Sequence, residues 1–296
     1  MGNASYSSAK VIASDGSVSY ARSDSHKTAF FASAPMDETF TQQKLRRIHE
    51  SMDPKGAKLR EARDSATHPN TVPIILALDV TGSMGRIPHE LIKTGLPHIM
   101  GSIIENGTPD PALLFLDIGD HQVDRHPLQV GQFESGDAEL DTWLTRSYIE
   151  GGGGGNEGES YLLAYYFAGF HTVTDAWEKR KKKGFLFTVG DEPSLKMLPK
   201  VAITEIMGEE AGVETGFTVE QLLTKAQERY DVYHLHIMEG SAGHRSLAYW
   251  RELLGDHCIE VDNYQDVAKK VADIVIAGTK GVMKASPVVS KTEDML

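Results

Sequence analysis

The chain has 296 residues, of which 40% are hydrophobic and 24% charged, a composition that supports a folded core and excludes bulk disorder. Its formal net charge is −12, and an acidic chain without a basic domain is a poor nucleic-acid binder. The single cysteine, Cys258, excludes a disulfide scaffold and a cysteine-based zinc cluster. No apolar run approaches the roughly 18 residues of a membrane span, and no signal core opens the chain, so we expect a cytoplasmic protein without membrane contact.

Residues 1–70 are predicted to form a polar N-terminal extension that is partly helical. The first 28 residues contain eight serines and little apolar periodicity, which is typical of a loose or partner-dependent arm. Between Met36 and Ser65 the composition favours helix but the apolar positions are sparse, and we expect one or two short helices there. The breaker His68-Pro69-Asn70 ends this extension.

From residue 71 onward, short apolar runs alternate with helical patterns. The runs typical of parallel strands covered on both faces are Val72–Leu78, Ala112–Leu116, Phe185–Val189, Val232–Met238 and Cys258–Val261, with Leu128–Phe133 as an edge strand. Helices are predicted over 87–104 with a kink at Pro97, and over 138–149, 160–170, 219–230, 246–254 and 265–276. This alternation predicts an α/β domain over 71–281 that folds by itself around a doubly wound, mostly parallel sheet, followed by a flexible tail over 282–296.

The first predicted strand ends in alternating oxygen-bearing side chains: Asp79, Thr81 and Ser83. Ligands of such sheets lie at the carboxyl ends of the strands, and a loop turning away from the strand end can direct all three side chains towards one point. One carboxylate and two hydroxyls are hard oxygen donors, which suit Mg²⁺. The alternative is that Asp79 caps the next helix while Thr81 and Ser83 only form the turn.

The segment Ile75–Met84 resembles the first metal motif of the von Willebrand factor A domain family, a strand followed by Asp-x-Ser-x-Ser, with Thr81 in the first serine position. The resemblance covers roughly residues 71–281. It implies a Rossmann-like sheet flanked by helices and a metal-ion-dependent adhesion site for Mg²⁺, with Mn²⁺ and Ca²⁺ as further candidates. It also implies a partner protein that presents an Asp or Glu to the ion.

A second aspartate is implied by the family's third motif, which follows another strand end. Asp191 is mapped to it, although it lies two residues beyond the usual place after Thr188, because Val189 cannot bind an ion; Glu192 is the fallback. Asp117 and Asp120 also follow a predicted strand and are interpreted first as turn-forming residues of a solvated loop. The alternative is that they join the site, with Asp120 as the best candidate for a supporting position beside it.

The family's remaining ligand is normally a threonine from a glycine-rich loop. Here the loop opens with five consecutive glycines, 151–155, which allow the backbone to approach an ion or a partner closely. Ser160 is mapped to the threonine position, with Glu159 and Asn156 as rivals.

Two functions from different classes follow. The first is a metal-dependent protein-binding module, in which an acidic side chain of the partner completes the coordination of the ion. Soluble bacterial members of the family often work beside an AAA+ ATPase of the MoxR type, which makes such an ATPase a candidate partner. The alternative is a metal-assisted hydrolase in which Glu157, Glu159 or Glu192 acts as general base. If Glu159 is itself a ligand, its charge would weaken the attraction of the ion for an outside carboxylate.

Three further clusters have simpler interpretations. His234 and His236 share one face of a strand and are interpreted as core or capping histidines rather than ligands. The basic run 179–183 is interpreted as a solvated helix end, with contact to an acidic partner as the alternative. Residues 60–65 are predicted to form a local ion-pair network.

Overall fold

The computed structural model describes residues 45–92, 99–108, 110–149, 158–208 and 215–281, together with 11–12, 18–19 and 42. A six-stranded sheet lies at its centre, with strands Val72–Asp79 (β1), Pro111–Ile118 (β2), Leu128–Val130 (β3), Gly184–Gly190 (β4), Tyr230–Ile237 (β5) and Cys258–Val261 (β6). Their order is β6-β5-β4-β1-β2-β3. Every neighbouring pair is parallel except β2 and β3, which are antiparallel.

The described helices are Ile87–Glu90 (α1), Ile99–Glu105 (α2), Asp137–Arg146 (α3), Leu162–Phe170 (α4), Asp175–Arg180 (α5), Lys200–Met207 (α6), Val219–Gln227 (α7), Gly243–Leu254 (α8) and Val267–Thr279 (α9). Short strand pairs join Arg60–Ala62 to Thr172–Thr174, Met197–Leu198 to Phe217–Thr218, and Val11–Ile12 to Val18–Ser19. None of the described helices is long and apolar enough to span a membrane.

Helices cover both faces of the sheet, and for this reason its central strands are apolar along most of their length. Along β1, Ile75 and Ala77 pack into one core with α4 and α7, whereas Ile74 and Leu76 pack into a second core with α2 and α9. The predicted α/β architecture, doubly wound around a mostly parallel sheet, is confirmed, and each of the six predicted strands is present.

The helices differ more from the prediction than the strands do. Helix α6 is absent from the predicted set, because it spans only about two turns, too few for a clear apolar period. Helix α5 is indicated only by the basic run 179–183 at its end; it ends at Arg180, and Lys179 and Arg180 form ion pairs with Asp175 and Asp64. The predicted helix over 87–104 is present as α1 and α2. Its expected kink at Pro97 lies outside the described residues, as does the expected tail over 282–296.

The segment 49–64 packs on the domain instead of forming ordinary α-helices. It contains two short 3-10 helices, Glu50–Met52 and Pro54–Gly56, followed by the strand Arg60–Ala62. The side chains of Met52, Ala57 and Ala62 are fully buried. The segment therefore belongs to the core, although it precedes the predicted domain boundary.

Ion pairs fasten the end of this segment to α5. Arg63 contacts Asp175 at 2.9 Å, and Asp64 accepts a hydrogen bond of 2.5 Å from Arg180. Arg63 also binds Glu61, as the predicted local network requires. The network is therefore present but wider than expected, because its acidic and basic partners lie more than a hundred residues apart in sequence.

We expect a chain that starts at residue 71 to be markedly less stable than one that starts at residue 45. The shorter chain loses the buried side chains of Met52, Ala57 and Ala62 and the strand pair with Thr172–Thr174. Burial of one large apolar side chain alone contributes about 2 kcal/mol, so a total loss of at least about 4 kcal/mol is expected. Urea unfolding of both chains measures the difference. Equal midpoints would instead place the domain boundary at residue 70.

Candidate metal centre

The first predicted motif forms one hydrogen-bonded group at the carboxyl end of β1. Asp79 is the last residue of β1 and is fully buried. Its Oδ1 accepts hydrogen bonds from the backbone N–H of Thr81 at 2.9 Å and from the Thr81 hydroxyl at 2.6 Å. The hydroxyls of Thr81 and Ser83 lie 3.2 Å apart, because the 3-10 turn Gly82–Met84 folds the chain back. The three side chains therefore converge as the alternating pattern indicates.

Asp191 joins this group from the neighbouring strand β4. Ser83 Oγ donates a 2.8 Å hydrogen bond to Asp191 Oδ1. The other carboxylate oxygen, Oδ2, accepts the backbone N–H of Ala242 just before α8. A continuous chain of polar contacts thus runs from Asp79 through Thr81 and Ser83 to Asp191, and the structure brings these four predicted ligands together.

The last predicted ligand, Ser160, faces a different loop. Its hydroxyl accepts the backbone N–H of His121 at 2.8 Å and lies 2.7 Å from Nδ1 of the same histidine. Its neighbour Glu159 is 7% exposed, and Glu159 Oε2 has no hydrogen-bond partner within the described residues. Glu159 is therefore a better candidate than Ser160 for contact with a cation. Asn156 and the five glycines lie in 150–157, outside the described residues.

The carboxylates of the group disfavour one another's ionisation. Burial raises the pKa of Asp79 to about 7, and Asp191 adds to this, while hydrogen bonds from Thr81 and Tyr161 act in the opposite direction. Burial, followed by the charges of Asp79, Asp120 and Asp124, raises the pKa of Glu159 to about 10. A bound cation would relieve this repulsion. Without one, a proton-holding Glu159 is a poor general base at neutral pH.

The donor set fits a hard divalent cation only if hydroxyls take part. Within the described ranges, no group of three or more His, Cys, Asp and Glu side chains is arranged to hold a metal ion. Thr81 and Ser83 would therefore have to complete the coordination offered by Asp79, Asp191 and Glu159. Oxygen donors of this mixed type suit Mg²⁺, and Glu159 Oε2, which has no partner in the part of the chain that the structure describes, is consistent with a cation beside it.

Two glycines permit the close approach on which the centre depends. A Cβ atom on Gly190 would overlap the hydroxyl oxygen of Tyr161 and lie 2.9 Å from the Cβ of Asp79. A Cβ on Gly240 would overlap the side chain of Asp191. Only glycine fits at these two positions without moving the site residues.

The other acidic candidates lie around the centre. Asp120 is buried, and its Oδ1 accepts the backbone N–H of Gln122, so it supports the loop beside Glu159 rather than the chain of contacts from Asp79. The Glu192 carboxylate lies 3.8 Å from Arg245. Asp117 lies on the face of the sheet opposite to the centre. Alternate residues of β2 share a face, and Asp117 therefore lies on the same face as Leu113 and Phe115, which pack into the second core.

Asp117 gives a test of the electrostatics that is independent of the centre. It is fully buried, burial raises its pKa to about 8, and the Ser147 hydroxyl offsets only part of this. Between about pH 4 and pH 8 the folded chain holds this proton and the unfolded chain does not, so stability falls as the pH rises. We expect Asp117→Asn to remove at least about 2 kcal/mol of that fall, measured by urea unfolding at pH 5 and pH 8. Parallel pH profiles for the two proteins would contradict this.

The contacts that support the centre come from residues without a motif. The Tyr161 hydroxyl donates to Asp79 Oδ2 at 2.6 Å, and the Ser246 hydroxyl donates to the backbone oxygen of Asp191 at 2.5 Å. Trp250 Nε1 donates to the backbone oxygen of Glu192. The position of Tyr161 directly after the glycine-rich loop is the one sequence signal that could have pointed to it.

The two histidines of β5 are core residues, as predicted. His234 Nε2 lies 3.2 Å from His236 Nδ1, and His236 Nε2 lies 2.6 Å from the carbonyl oxygen of Gly243. His234 Nδ1 contacts the Thr188 hydroxyl at 2.9 Å. Burial lowers the pKa of both histidines, so they stay neutral and hold the start of α8 against the sheet.

Comparison with known proteins gives only distant similarity. No protein-family model and no curated protein matches the chain. The pilus adhesin SpaC from Lactobacillus rhamnosus GG aligns with 74% of this chain and 31% of its own, at 10% identity and a TM-score of 0.48. The von Willebrand factor type A structure from Catenulispora acidiphila aligns over 70% and 42%, at 11% identity and a TM-score of 0.40. Proximal thread matrix protein 1 from the mussel byssus aligns over 70% and 47%, at 9% and 0.43.

The chain spans less than half the length of each of these three structures. Similarity at this level assigns neither a function nor a ligand. The α/β assignment comes from the strand order and the two layers of helices themselves.

Proposed function

We propose that this chain is a divalent-metal-dependent protein-binding module of the von Willebrand factor A type. The ion, Mg²⁺ in the first place, would be held by Asp79, Thr81, Ser83 and Asp191, with Glu159 in the glycine-loop position instead of Ser160. The observation that carries the proposal is the continuous chain of polar contacts across the ends of β1 and β4. Beside it lies Glu159, whose Oε2 has no hydrogen-bond partner among the described residues.

When bound, Mg²⁺ would supply a centre of positive charge that attracts an oxygen ligand from outside. Asp79 and Asp191 balance its charge, and Thr81 and Ser83 contribute neutral oxygens. A proton held by Glu159 would keep the centre close to neutral, so that an Asp or Glu of a partner protein remains attracted. An ionised Glu159 would oppose that partner, which makes this residue the one that tunes binding. A partner ATPase of the MoxR type and a cytoplasmic location stay predictions from the sequence.

Isothermal titration of the full chain with Mg²⁺ tests the proposal, and EDTA-treated protein provides the starting state. We expect one site, with Mn²⁺ competing for it. No heat of binding, and no change in melting temperature on addition of the ion, would reject the metal centre.

Two adjacent substitutions decide which residue of the glycine-rich loop serves the ion. We expect Glu159→Ala to weaken Mg²⁺ binding about tenfold or more, because it removes the carboxyl oxygens that lie beside Asp79. Ser160→Ala is expected to leave the affinity nearly unchanged, because that hydroxyl is already engaged by His121. The reverse pattern in the titrations would restore Ser160 as the ligand.

A further inference from the structure

One side of the candidate metal centre carries two exposed arginines, although the chain as a whole has a net charge of −12. Arg86 is exposed and follows Ser83 by three residues. Arg245 lies in the first turn of α8, close behind Ala242, whose N–H binds Asp191, and 72% of its side chain is exposed. Ser241, next to Ala242, donates its backbone N–H to the carbonyl of Ser83. We call Arg86 and Arg245 the arginine rim. Both lie within a few residues of segments that contact Ser83 and Asp191, two of the proposed ligands.

Arg245 forms a loose ion pair with Glu192, and its side chain still stays largely exposed to a partner. Glu192 is 3.8 Å from Arg245, a distance longer than a hydrogen bond. Glu239 accepts the backbone N–H of Tyr264 at 2.7 Å and is thereby directed towards the turn before α9. His244, also exposed, lies between the start of α8 and Arg245.

The opposite side of the centre is acidic. Asp120 and Asp124 lie in the loop after β2, close enough to Glu159 to raise its pKa. Additional negative charges on a partner would be repelled there and attracted on the arginine rim. The two sides of the centre therefore differ in charge, with Asp120 and Asp124 on one side and the arginine rim on the other.

We infer that the partner segment carries a short acidic stretch, in which one carboxylate serves the ion and a neighbouring Asp or Glu pairs with the arginine rim. This inference rests on the proposed function and adds a sequence preference to it. Exposed ion pairs contribute little individually, so the arginine rim sets selectivity and association rate more than total affinity. Only one side of the centre can receive the extra charge, and the stretch must therefore extend in one direction from the ligating residue.

An array of immobilised hexapeptides tests the inference. Each peptide carries one fixed Asp, with Asp, Gly or Lys at each flanking position, and is incubated with labelled full-length protein in Mg²⁺ or in EDTA. We expect Mg²⁺-dependent capture to increase when Asp is added on one side of the fixed Asp. Arg86→Glu and Arg245→Glu should each reduce that preference about fivefold.

Lys182→Glu is the matched control, because it makes the same change of charge at an exposed position before β4, at the opposite end of the strands. It should leave the preference unchanged. Mg²⁺-dependent capture without acidic preference, or a preference reduced equally by Lys182→Glu, would overturn the arginine rim while leaving the metal-dependent module in place. Capture that is indifferent to EDTA would overturn both.

Discussion

Replacement of Asp79 by asparagine is expected to abolish Mg²⁺ binding and to leave the fold intact. The residue is fully buried, and three hydrogen bonds from Thr81 and Tyr161 converge on its carboxylate. Asparagine keeps the size and one acceptor oxygen, so the surrounding packing has little reason to change. It removes the charge, however, and water cannot take the place of a buried carboxylate.

Unfolding with and without the ion measures this effect. At a hundredfold excess of Mg²⁺ over the dissociation constant, wild-type protein should gain about 2.7 kcal/mol, and Asp79→Asn should gain none. Because burial raises the pKa of Asp79 to about 7, the folded metal-free chain holds a proton between about pH 4 and pH 7 that the unfolded chain has lost, so its stability falls as the pH rises over that range, and the variant should escape this loss. Asp256→Asn, at an exposed position, is the control and should behave as wild type. An unchanged Mg²⁺ response in Asp79→Asn would remove Asp79 from the centre.

The sequence was sufficient to predict the sheet, because parallel strands buried on both faces need continuous apolar runs. It was also sufficient to place Asp79 and Asp191 together, since both follow such runs and the carboxyl ends of parallel strands share one edge. The strand Arg60–Ala62 escaped prediction for the opposite reason. It has three residues, two of them charged, and it exists only because Thr172–Thr174 is available as a partner.

The choice between Ser160 and Glu159 shows where sequence reasoning about the centre ends. The two residues are adjacent, and the glycine-rich loop has no fixed spacing that would show which of them faces the ion. The loop after β2 favours Glu159, because His121 engages the Ser160 hydroxyl, whereas Glu159 lies beside Thr81 and Asp79. That arrangement depends on contacts about forty residues apart, and no local pattern encodes them.

An aromatic cluster connects the surroundings of the two aspartates of the centre, Asp79 and Asp191. Tyr161 packs edge-on against His234 and Trp250, with ring centroids 5.3 and 5.2 Å apart. Its hydroxyl binds Asp79, while Trp250 holds the backbone of Glu192 next to Asp191. A displacement of Tyr161 would therefore disturb both aspartates at once.

Gly190→Ala is the substitution from which we expect the largest combined loss of stability and metal binding. The new methyl group would collide with the Tyr161 hydroxyl and press on Asp79, and Gly190 cannot retreat because it is paired with His236 in the centre of the sheet. Overpacking of this kind costs about 3 kcal/mol. Thermal unfolding and Mg²⁺ titration of the variant should therefore change together.

A double-mutant cycle separates this collision from a general effect of alanine in a strand. Tyr161→Phe alone should cost about 2 kcal/mol, the value of a hydrogen bond to a charged group. Added to Gly190→Ala, it should instead recover part of the loss, because it removes the oxygen that the methyl group meets. Gly56→Ala is the matched control, since nothing lies within 4 Å of a Cβ at that position, and it should be nearly neutral. Additive losses in the double variant would mean that the collision with the Tyr161 hydroxyl is not the cause of the loss in Gly190→Ala.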